Sequence, residues 1–270
     1  FRVRYIRPLC HLSDAIDRGN YTDFRRNLAS GLPQRAETVH TVSIKKSIAA
    51  MIEIGHVSHP GKLRALNEDS YDIDIAGAAA VLVDGMGGPN AGDIASAFVR
   101  TELHRCLLQG DTPVAALTNT GKALRQQRPQ QTGRPSGASA IIASWTDDTI
   151  ELTWLGSCRA WYFDGADILK VEAHAVTQGA VQSASSTPIQ ALGVTAPDKL
   201  SICSRLLPWR RGQSVLLCSD GVFEECPDQA VREALADTEL SAQEATDQLL
   251  LHLLQGEAAN NLTAVLLRRV

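Results

Sequence analysis

Two stretches of this chain share a pattern in which an apolar run ends in Asp-Gly: AAAVLVDGMGG at residues 78–88 and SVLLCSDGVFE at residues 214–224. Short apolar runs bounded by turn residues predict buried strands. A carboxylate at the end of such a strand emerges from the core, and the Gly after it leaves the backbone free to turn. The pattern therefore predicts two strands that deliver Asp84 and Asp220 to a cleft.

Further acidic and amide residues stand at the ends of apolar runs, in Asn67-Glu68-Asp69 and in Asn260-Asn261. Carboxylate and carbonyl oxygens that converge in one cleft are the ligands that Mg2+ and Mn2+ prefer. Taken singly, each Asp-Gly is also an ordinary turn after a strand. Two of them in one chain, together with the Glu-Asp pair and the glycine-rich loop, favour a metal site over unrelated turns.

The length and charge of the chain exclude several classes of protein. Its 270 residues suit one large domain or two small ones, and its 44% hydrophobic residues argue against disorder. With 26 Lys and Arg against 30 Asp and Glu, the net charge is -4, which excludes binding to nucleic acid or anionic lipid through bulk positive charge. No apolar run approaches the roughly 18 residues that span a bilayer. Neither nucleic acid nor a membrane is therefore an expected partner.

The cysteines and the N-terminus bear on the compartment and on the domain organisation. The 6 cysteines are scattered and form no CxxC pair, which favours a reducing, cytoplasmic location. Residues 1–49 mix charged, amide and short apolar segments, and we interpret them as an extension, a linker or the tail of a preceding domain. Because the sequence starts with Phe1 rather than Met, we expect a fusion to an upstream domain, with the main domain at residues 50–270.

Hydrophobic periodicity predicts an α+β domain with strands at both ends and with helices in two pairs. The predicted strands lie at residues 52–58, 78–83, 138–145, 149–156, 159–163, 168–171, 199–206, 214–218 and 262–267. The predicted helices lie at residues 93–108, 113–127, 227–236 and 242–254. The spacing of the four strands between residues 138 and 171 is typical of an antiparallel meander. Residues 174–198 are interpreted as a long polar surface segment.

An ordered set of motifs carries a resemblance to a known family. The motifs are SHPGKLRALNED at residues 58–69, VLVDGMGGPNAGDIAS at 81–96, SGASAIIA at 136–143, LTWLGSCRAWYF at 152–163, SVLLCSDGVFE at 214–224 and NNLTAVLL at 260–267. Together they resemble the metal-dependent Ser/Thr protein phosphatases of the 2C type (PPM), in their compact bacterial form, over residues 52–270. The resemblance implies a β-sandwich of two antiparallel sheets flanked by pairs of helices, which is a four-layer αββα fold.

The resemblance also assigns metal ligands by position. Asp84 would bridge two Mg2+ or Mn2+ ions. Glu68 and the carbonyl of Gly85 would complete the protein ligands of the second ion, while Asp220 and Asn260 would bind the first. The implied reaction is the hydrolysis of phosphoserine or phosphothreonine on proteins, by a hydroxide that bridges the two ions.

Two further residues carry catalytic roles that the resemblance implies. Arg64 stands where the family clamps the substrate phosphate, a task that suits the guanidinium fork. Considered alone, this residue would more often be a solvated surface arginine. Asp69 would orient metal-bound water. Met86 stands where some relatives carry His as a proton donor, and because a thioether cannot donate, the leaving oxygen would take its proton from water.

The sequence departs from the family pattern at three places, and all three weaken metal binding. Asn260 stands where the family has Asp, so the first ion would lose an anionic ligand. Ser157 stands where an Asp helps to hold an additional ion, which makes a third metal site doubtful. Ala173-His174 replaces Asp-His, and His174 is interpreted as a loop or surface histidine.

These observations leave two hypotheses about function. The first is an enzyme with weakened metal binding, which dephosphorylates a phosphoprotein and opposes a Ser/Thr kinase. The alternative is a catalytically impaired pseudophosphatase that serves as a phosphoprotein-binding or regulatory module. The survival of Glu68, Asp84 and Asp220 favours the enzyme, and the loss of Asp at positions 157 and 260 favours the alternative.

Overall fold

The computed structural model describes residues 52–87, 91–127, 136–171, 176–177, 180–181 and 190–270. The predicted N-terminal segment, residues 1–49, and His174 lie outside the described residues, as does most of the predicted surface segment. No helix in the described part of the chain combines the length and the apolar character needed to cross a membrane.

Ten of the strands form two five-stranded antiparallel sheets. Sheet 1 consists of β1 Ile52–His59, β6 Arg159–Phe163, β7 Ile168–Val171, β11 Ser214–Cys218 and β12 Leu262–Arg269, in the order β1-β12-β11-β6-β7. Sheet 2 consists of β2 Asp69–Asp74, β3 Ala79–Met86, β4 Gly137–Trp145, β5 Thr149–Leu155 and β10 Cys203–Pro208, in the order β10-β5-β4-β3-β2. The short strands β8 Val176–Thr177 and β9 Ala180–Val181 pair with each other.

The two sheets pack face to face over a common core. Because successive side chains of a strand point to opposite faces, alternate residues of each sheet are available for this core. Sheet 2 supplies Leu82 and Ile141, and sheet 1 supplies Val215, Leu217 and Val265, all of them fully buried. Burial of each such side chain stabilises the fold by roughly 1.5–3 kcal/mol before the cost of chain ordering is counted.

Helices cover the outer face of each sheet and complete the four layers. Their bounds are α1 Gly92–Leu108, α2 Pro113–Gln126, α3 Asp220–Glu225, α4 Asp228–Ala236 and α5 Ala242–Gln255. The apolar faces of α1 and α2 pack on sheet 2, and those of the other three helices pack on sheet 1. Thr112 caps α2, and a capping box of Ser241 and Glu244 starts α5. The predicted β-sandwich flanked by helices is confirmed.

The structure differs from the sequence-based expectation in four elements. Strand β2 was not predicted, because three Asp residues in DSYDID hide the alternation of an edge strand. Helix α3 was not predicted, because the Gly after Asp220 was expected to let the backbone turn into the cleft. The meander was wrong in one respect, since β4–β5 and β6–β7 are hairpins in different sheets. Strand β10 also starts four residues later and ends two residues later than the predicted strand at 199–206.

Candidate functional site

The predicted site residues come together at one end of the sandwich. Strands β2 and β3 are antiparallel, so the start of β2 lies beside the end of β3. Strands β11 and β12 are also antiparallel, so the residues after β11 lie beside those before β12. The residues that this topology gathers are Arg64, Glu68, Asp69, Asp84, Gly85, Asp220 and Asn260.

A row of three polar residues crosses sheet 2 at this end. Asp69 on β2 pairs with Asp84 on β3, and Asp84 in turn pairs with Ser139 on β4. Asp84 therefore lies inside β3 rather than at its end, where the sequence had placed it. Residues directly opposite each other on adjacent strands have side chains within contact distance. The register thus brings two carboxylates and a hydroxyl together.

Both carboxylates of this row resist ionisation. Burial is the main cause that raises the pKa of Asp84, to about 8, and the neighbouring charges of Asp69, Asp220 and Glu68 add to it. Burial also raises the pKa of Asp69, to about 7, although the hydroxyls of Thr263 and Ser219 favour its ionised form. Close carboxylates away from water disfavour one another's negative charge. A cation at this end of the sandwich would relieve that repulsion.

Glu68 is held through its backbone and through its side chain. Its amide donates to Asn261 Oδ1 at 2.9 Å, and its carbonyl accepts from Gly85 N at 3.1 Å. A Cβ on Gly92 would lie 2.4 Å from Glu68 Oε1, so the carboxylate occupies space that only Gly leaves open at the start of α1. Burial raises the pKa of Glu68, while the Gly92 N–H and the charge of Arg64 lower it.

Asp220 lies in the first turn of α3, directly after the N-cap residue Ser219. Burial raises the pKa of Asp220, and the Gly221 N–H together with the charges of Arg64 and Arg159 opposes that shift. A Cβ on Gly221 would lie 2.3 Å from the carbonyl oxygen of Asn261. In this Asp-Gly pair, Asp220 presents its carboxylate at the site, and Gly221 allows close packing against the backbone of Asn261.

Arg64 and Asn260 contact each other directly. Asn260 Oδ1 accepts from Arg64 Nε at 3.1 Å and from Arg64 Nη2 at 2.5 Å. The charge of Arg64 also favours the ionised forms of Glu68 and Asp220. Arg64 is exposed, as the alternative interpretation of a surface arginine expects, but its guanidinium contacts the loop that carries Asn260 beside the carboxylates.

Three residues that support the site were not predicted from the sequence. Asn261 ties the Arg64–Glu68 loop to β12, because its Nδ2 donates to the carbonyls of Pro60 and Leu66, each at 2.9 Å. Gly92 makes room for Glu68, and Ser139 is a fully buried hydroxyl in the mostly apolar strand β4. The serine near the start of the run GASAIIASW is a signal that could have indicated Ser139.

The donor chemistry of this cluster fits divalent cations. Burial raises the pKa of all four carboxylates, and the charges of cluster members raise those of Asp69 and Asp84 further. Asp69 Oδ2 is buried without a hydrogen-bond partner among the described residues. In the described ranges, no three His, Cys, Asp or Glu side chains are arranged to hold one ion together. Mg2+ commonly takes only one or two carboxylates and keeps several waters. The arrangement therefore fits ions that are each held by one or two carboxylates and by water. It does not fit an ion enclosed entirely by protein ligands.

Comparison with known proteins gives one family and a set of similar chains. The family model of stage II sporulation protein E (SpoIIE) matches residues 76–270. The chain is 27% identical over 228 residues to the serine/threonine protein phosphatase PstP of Mycobacterium tuberculosis (strain H37Rv). This match spans 77% of the chain but only 43% of the relative, so the chain covers less than half of that protein's length.

Solved structures share the fold. PppA, described as a key regulatory component of T6SS in Pseudomonas aeruginosa, has a TM-score of 0.67 at 23% identity, over 82% of this chain and 98% of that one. The catalytic domain of PstP in complex with 2 manganese ions has a TM-score of 0.67 at 24% identity, over 82% of this chain and 99% of that one. Stp1 of Staphylococcus aureus has a TM-score of 0.67 at 21% identity, over 88% of this chain and 100% of that one.

Proposed function

Because this chain belongs to the SpoIIE family of PP2C-type phosphatase domains, we propose that it hydrolyses phosphoserine and phosphothreonine on proteins with the help of Mg2+ or Mn2+. The observation that carries the proposal is the cluster of Glu68, Asp69, Asp84 and Asp220, whose pKa values are all raised. Burying several carboxylates side by side is unfavourable unless cations neutralise them. A site for cations explains why the fold keeps this arrangement.

The residues that would hold the ions follow from the cluster. Asp84, central in the row across sheet 2, would contact two ions. Glu68 and the carbonyl of Gly85 would serve one ion, and Asp220 with the amide oxygen of Asn260 would serve the other. When bound, such ions lower the pKa of water and neutralise the charge of a phosphoryl group. Because Asn260 supplies a dipole in place of a charge, the affinity for the ion on its side is reduced.

The protein's own groups would bind the substrate and manage protons. Arg64 offers the fork that matches two phosphate oxygens, and its hold on Asn260 is released when the phosphate takes over the donors. Asp69, which lies next to Glu68 and opposite Asp84, would orient metal-bound water. Met86 cannot donate a proton, so the leaving oxygen takes its proton from water.

The expected substrates are phosphorylated proteins, and the activity would oppose a Ser/Thr kinase in the cytoplasm. The name of PstP, a serine/threonine protein phosphatase, supports this class of substrate. We assign the activity to residues 50–270, which contain all of the cluster. The carboxylates of the cluster, rather than a cysteine, carry the chemistry, since burial raises the pKa of Cys158 and Cys218 and makes their thiolates scarce.

Turnover in the presence of graded Mn2+ tests the proposal. The substrates are a phosphothreonine peptide and p-nitrophenyl phosphate, and the control is Asp84→Ala. We expect metal-dependent release of phosphate that disappears in the control. Folded wild-type protein that binds Mn2+ without releasing phosphate at any concentration would exclude the enzyme.

A second candidate function rests on the contact between Arg64 and Asn260. In a pseudophosphatase, the cluster would be a binding surface for a phosphoprotein, and Asn260 would hold Arg64 ready for the phosphate. PppA, a key regulatory component of T6SS in Pseudomonas aeruginosa, shares the fold. Restored turnover in Asn260→Asp alone, with none in the wild type, would favour this candidate.

A further inference from the structure

Ser157 occupies an unusual position in the connection between the two sheets. It follows Gly156, whose φ of +90° is in the left-handed region. A Cβ on Gly156 would lie only 2.3 Å from Ser139 Oγ. This glycine is therefore needed both for the turn and for the close approach of the connection to β4. The turn brings Ser157 against the row formed by Asp84 and Ser139.

Three hydrogen-bond contacts join these residues. Ser157 Oγ lies 2.9 Å from Asp84 Oδ2 and 2.9 Å from Ser139 Oγ. The Ser157 amide donates to Ser139 Oγ at 3.0 Å. Ser139 is fully buried, and Ser157 is partly buried. Water therefore competes little for the inner hydroxyl.

Ser157 Oγ is the donor toward both Asp84 Oδ2 and Ser139 Oγ. Its single proton serves one of them at a time, and when Asp84 is ionised, as metal binding requires, the charged oxygen is the stronger acceptor. Ser139 Oγ meanwhile accepts from the Ser157 amide. Ser139 therefore fixes the position of Ser157, and the Ser157 hydroxyl donates to Asp84.

We propose that Ser157, oriented by Ser139, is a positioning residue that fixes the Asp84 carboxylate for metal binding. The inference rests on the proposed function, since Asp84 is the carboxylate expected to contact both ions. A neutral donor at position 157 favours the ionised form of Asp84 and holds its plane without adding a negative charge to the crowded cluster. Ser157 thereby supports the proposed two-ion site, and this role does not depend on a third metal site.

The expected consequence is a change in metal affinity. Removing a hydrogen-bond partner that orients a metal ligand typically weakens binding about tenfold or more. We expect Ser157→Ala to raise the Mn2+ dissociation constant about tenfold. At saturating Mn2+, turnover should fall much less, because bound ions themselves fix the carboxylate.

The test is a double-mutant cycle read out by direct Mn2+ binding, with free Mn2+ measured by electron paramagnetic resonance. The variants are Ser157→Ala, Ser139→Ala and the double variant, with Ser157→Thr as the conservative replacement that keeps the hydroxyl. Ser144→Ala, on the same strand β4, is the matched control. Thermal melting verifies that each variant is folded.

If Ser139 acts on Asp84 only by holding Ser157, the two single effects are not additive. Ser139→Ala should weaken Mn2+ binding less than Ser157→Ala, and the double variant should bind like Ser157→Ala. Ser157→Thr should restore the affinity, and Ser144→Ala should leave it unchanged. Independent effects of the two serines, or an unchanged affinity in folded Ser157→Ala, would overturn the proposal.

The failure of the proposed function is a different result. Wild-type protein that binds Mn2+ but hydrolyses no phosphoester refutes the enzyme, while the cycle still decides the role of Ser157. Wild-type protein that binds no Mn2+ refutes both.

Discussion

Two nitrogens of Arg64 donate to a single atom, Asn260 Oδ1, at 3.1 and 2.5 Å. The expected phosphate clamp therefore rests on the residue that departs from the family pattern. An amide oxygen attracts a guanidinium less strongly than a carboxylate does. Under the proposed function, Asn260 gives up an anionic metal ligand, but it also lets Arg64 leave for a phosphate more easily.

Asn260→Asp should separate these two effects. The added charge should lower the half-saturating Mn2+ concentration about tenfold, since the charge count of the ligands tunes affinity. The tighter hold on Arg64 should raise the KM for a phosphothreonine peptide when Mn2+ is saturating. Steady-state kinetics over a matrix of Mn2+ and peptide concentrations measures both quantities. A fall in half-saturating Mn2+ without any rise in KM would show that the contact with Arg64 does not restrain the clamp.

Arg64→Ala should weaken substrate use without weakening metal binding. Loss of a charge-assisted hydrogen bond is worth about 1.5–3 kcal/mol, so kcat/KM should fall by roughly ten- to a hundredfold. Exposed Arg232 on α4 provides a control that removes the same charge away from the site. Peptide kinetics and Mn2+ titration of both variants provide the measurement. An equal loss in Arg232→Ala would assign the effect to net charge.

The metal-free protein should lose stability as the pH rises. The pKa of Asp84 is raised from 3.8 to about 8 in the folded state, so folding binds protons within that range. The contribution to stability is fully present below the unfolded pKa and is lost as pH rises through the folded pKa. The shifts of Asp69, Glu68 and Asp220 act in the same direction. Saturating Mn2+ should reverse the trend at neutral pH, because it binds the ionised carboxylates of the folded state only.

Asp84→Asn provides the measurement for this expectation. The variant removes one buried charge, so its melting temperature without metal should exceed that of the wild type by a margin that grows from about pH 4 to about pH 8. Added Mn2+ should stabilise the wild type more than the variant. A margin that stays constant across this range would mean that Asp84 ionises freely in the folded protein.

The sandwich could be predicted because its core strands are nearly continuous apolar runs. The sequences of β4 and β11 are apolar at nearly every position, which predicts strands that are buried on both faces. The hydroxyl side chains of Thr112 and Ser241 are typical helix N-caps and indicate the starts of α2 and α5. β2 was not predicted because its three Asp residues lie in the site or at the sheet edge, which leaves only Tyr71 and Ile73 to pack against the core. The crossing at Gly156 between the sheets was also missed, since a tight turn between two strands looks the same whether or not the strands share a sheet.

The residues of the site could be assigned only through the family motifs in the sequence. The residues that hold them in place could not be assigned from the sequence at all. Asn261 acts through contacts to residues about two hundred positions away, and Ser139 acts through the register of three strands. Such roles depend on tertiary structure, which a local pattern does not encode. Ser157 illustrates the difference, because the sequence shows only a missing Asp, whereas the structure shows a hydroxyl bonded to Asp84.

Gly92→Ala should weaken metal binding while the fold is retained. The new Cβ would lie 2.4 Å from Glu68 Oε1 and 2.5 Å from its carboxyl carbon, so the Glu68 carboxylate must move. Displacing a ligand should raise the Mn2+ dissociation constant about tenfold, as the loss of other orienting contacts does. The melting temperature should be kept, because Ala favours a helix over Gly by up to about 1 kcal/mol and the Glu68 side chain can give way.

Gly121→Ala is the matched control, since Gly121 is also helical and its Cβ would meet only side-chain tips, at 3.2 and 3.4 Å. Titration of both variants with Mn2+ and thermal melting form the measurement. If folded Gly92→Ala binds Mn2+ as tightly as the wild type, Glu68 is not a ligand, and the cluster must hold its ions through Asp84 and Asp220 instead. If both variants lose affinity to the same degree, the cause is a general effect of helix rigidity and not the position of the Glu68 carboxylate.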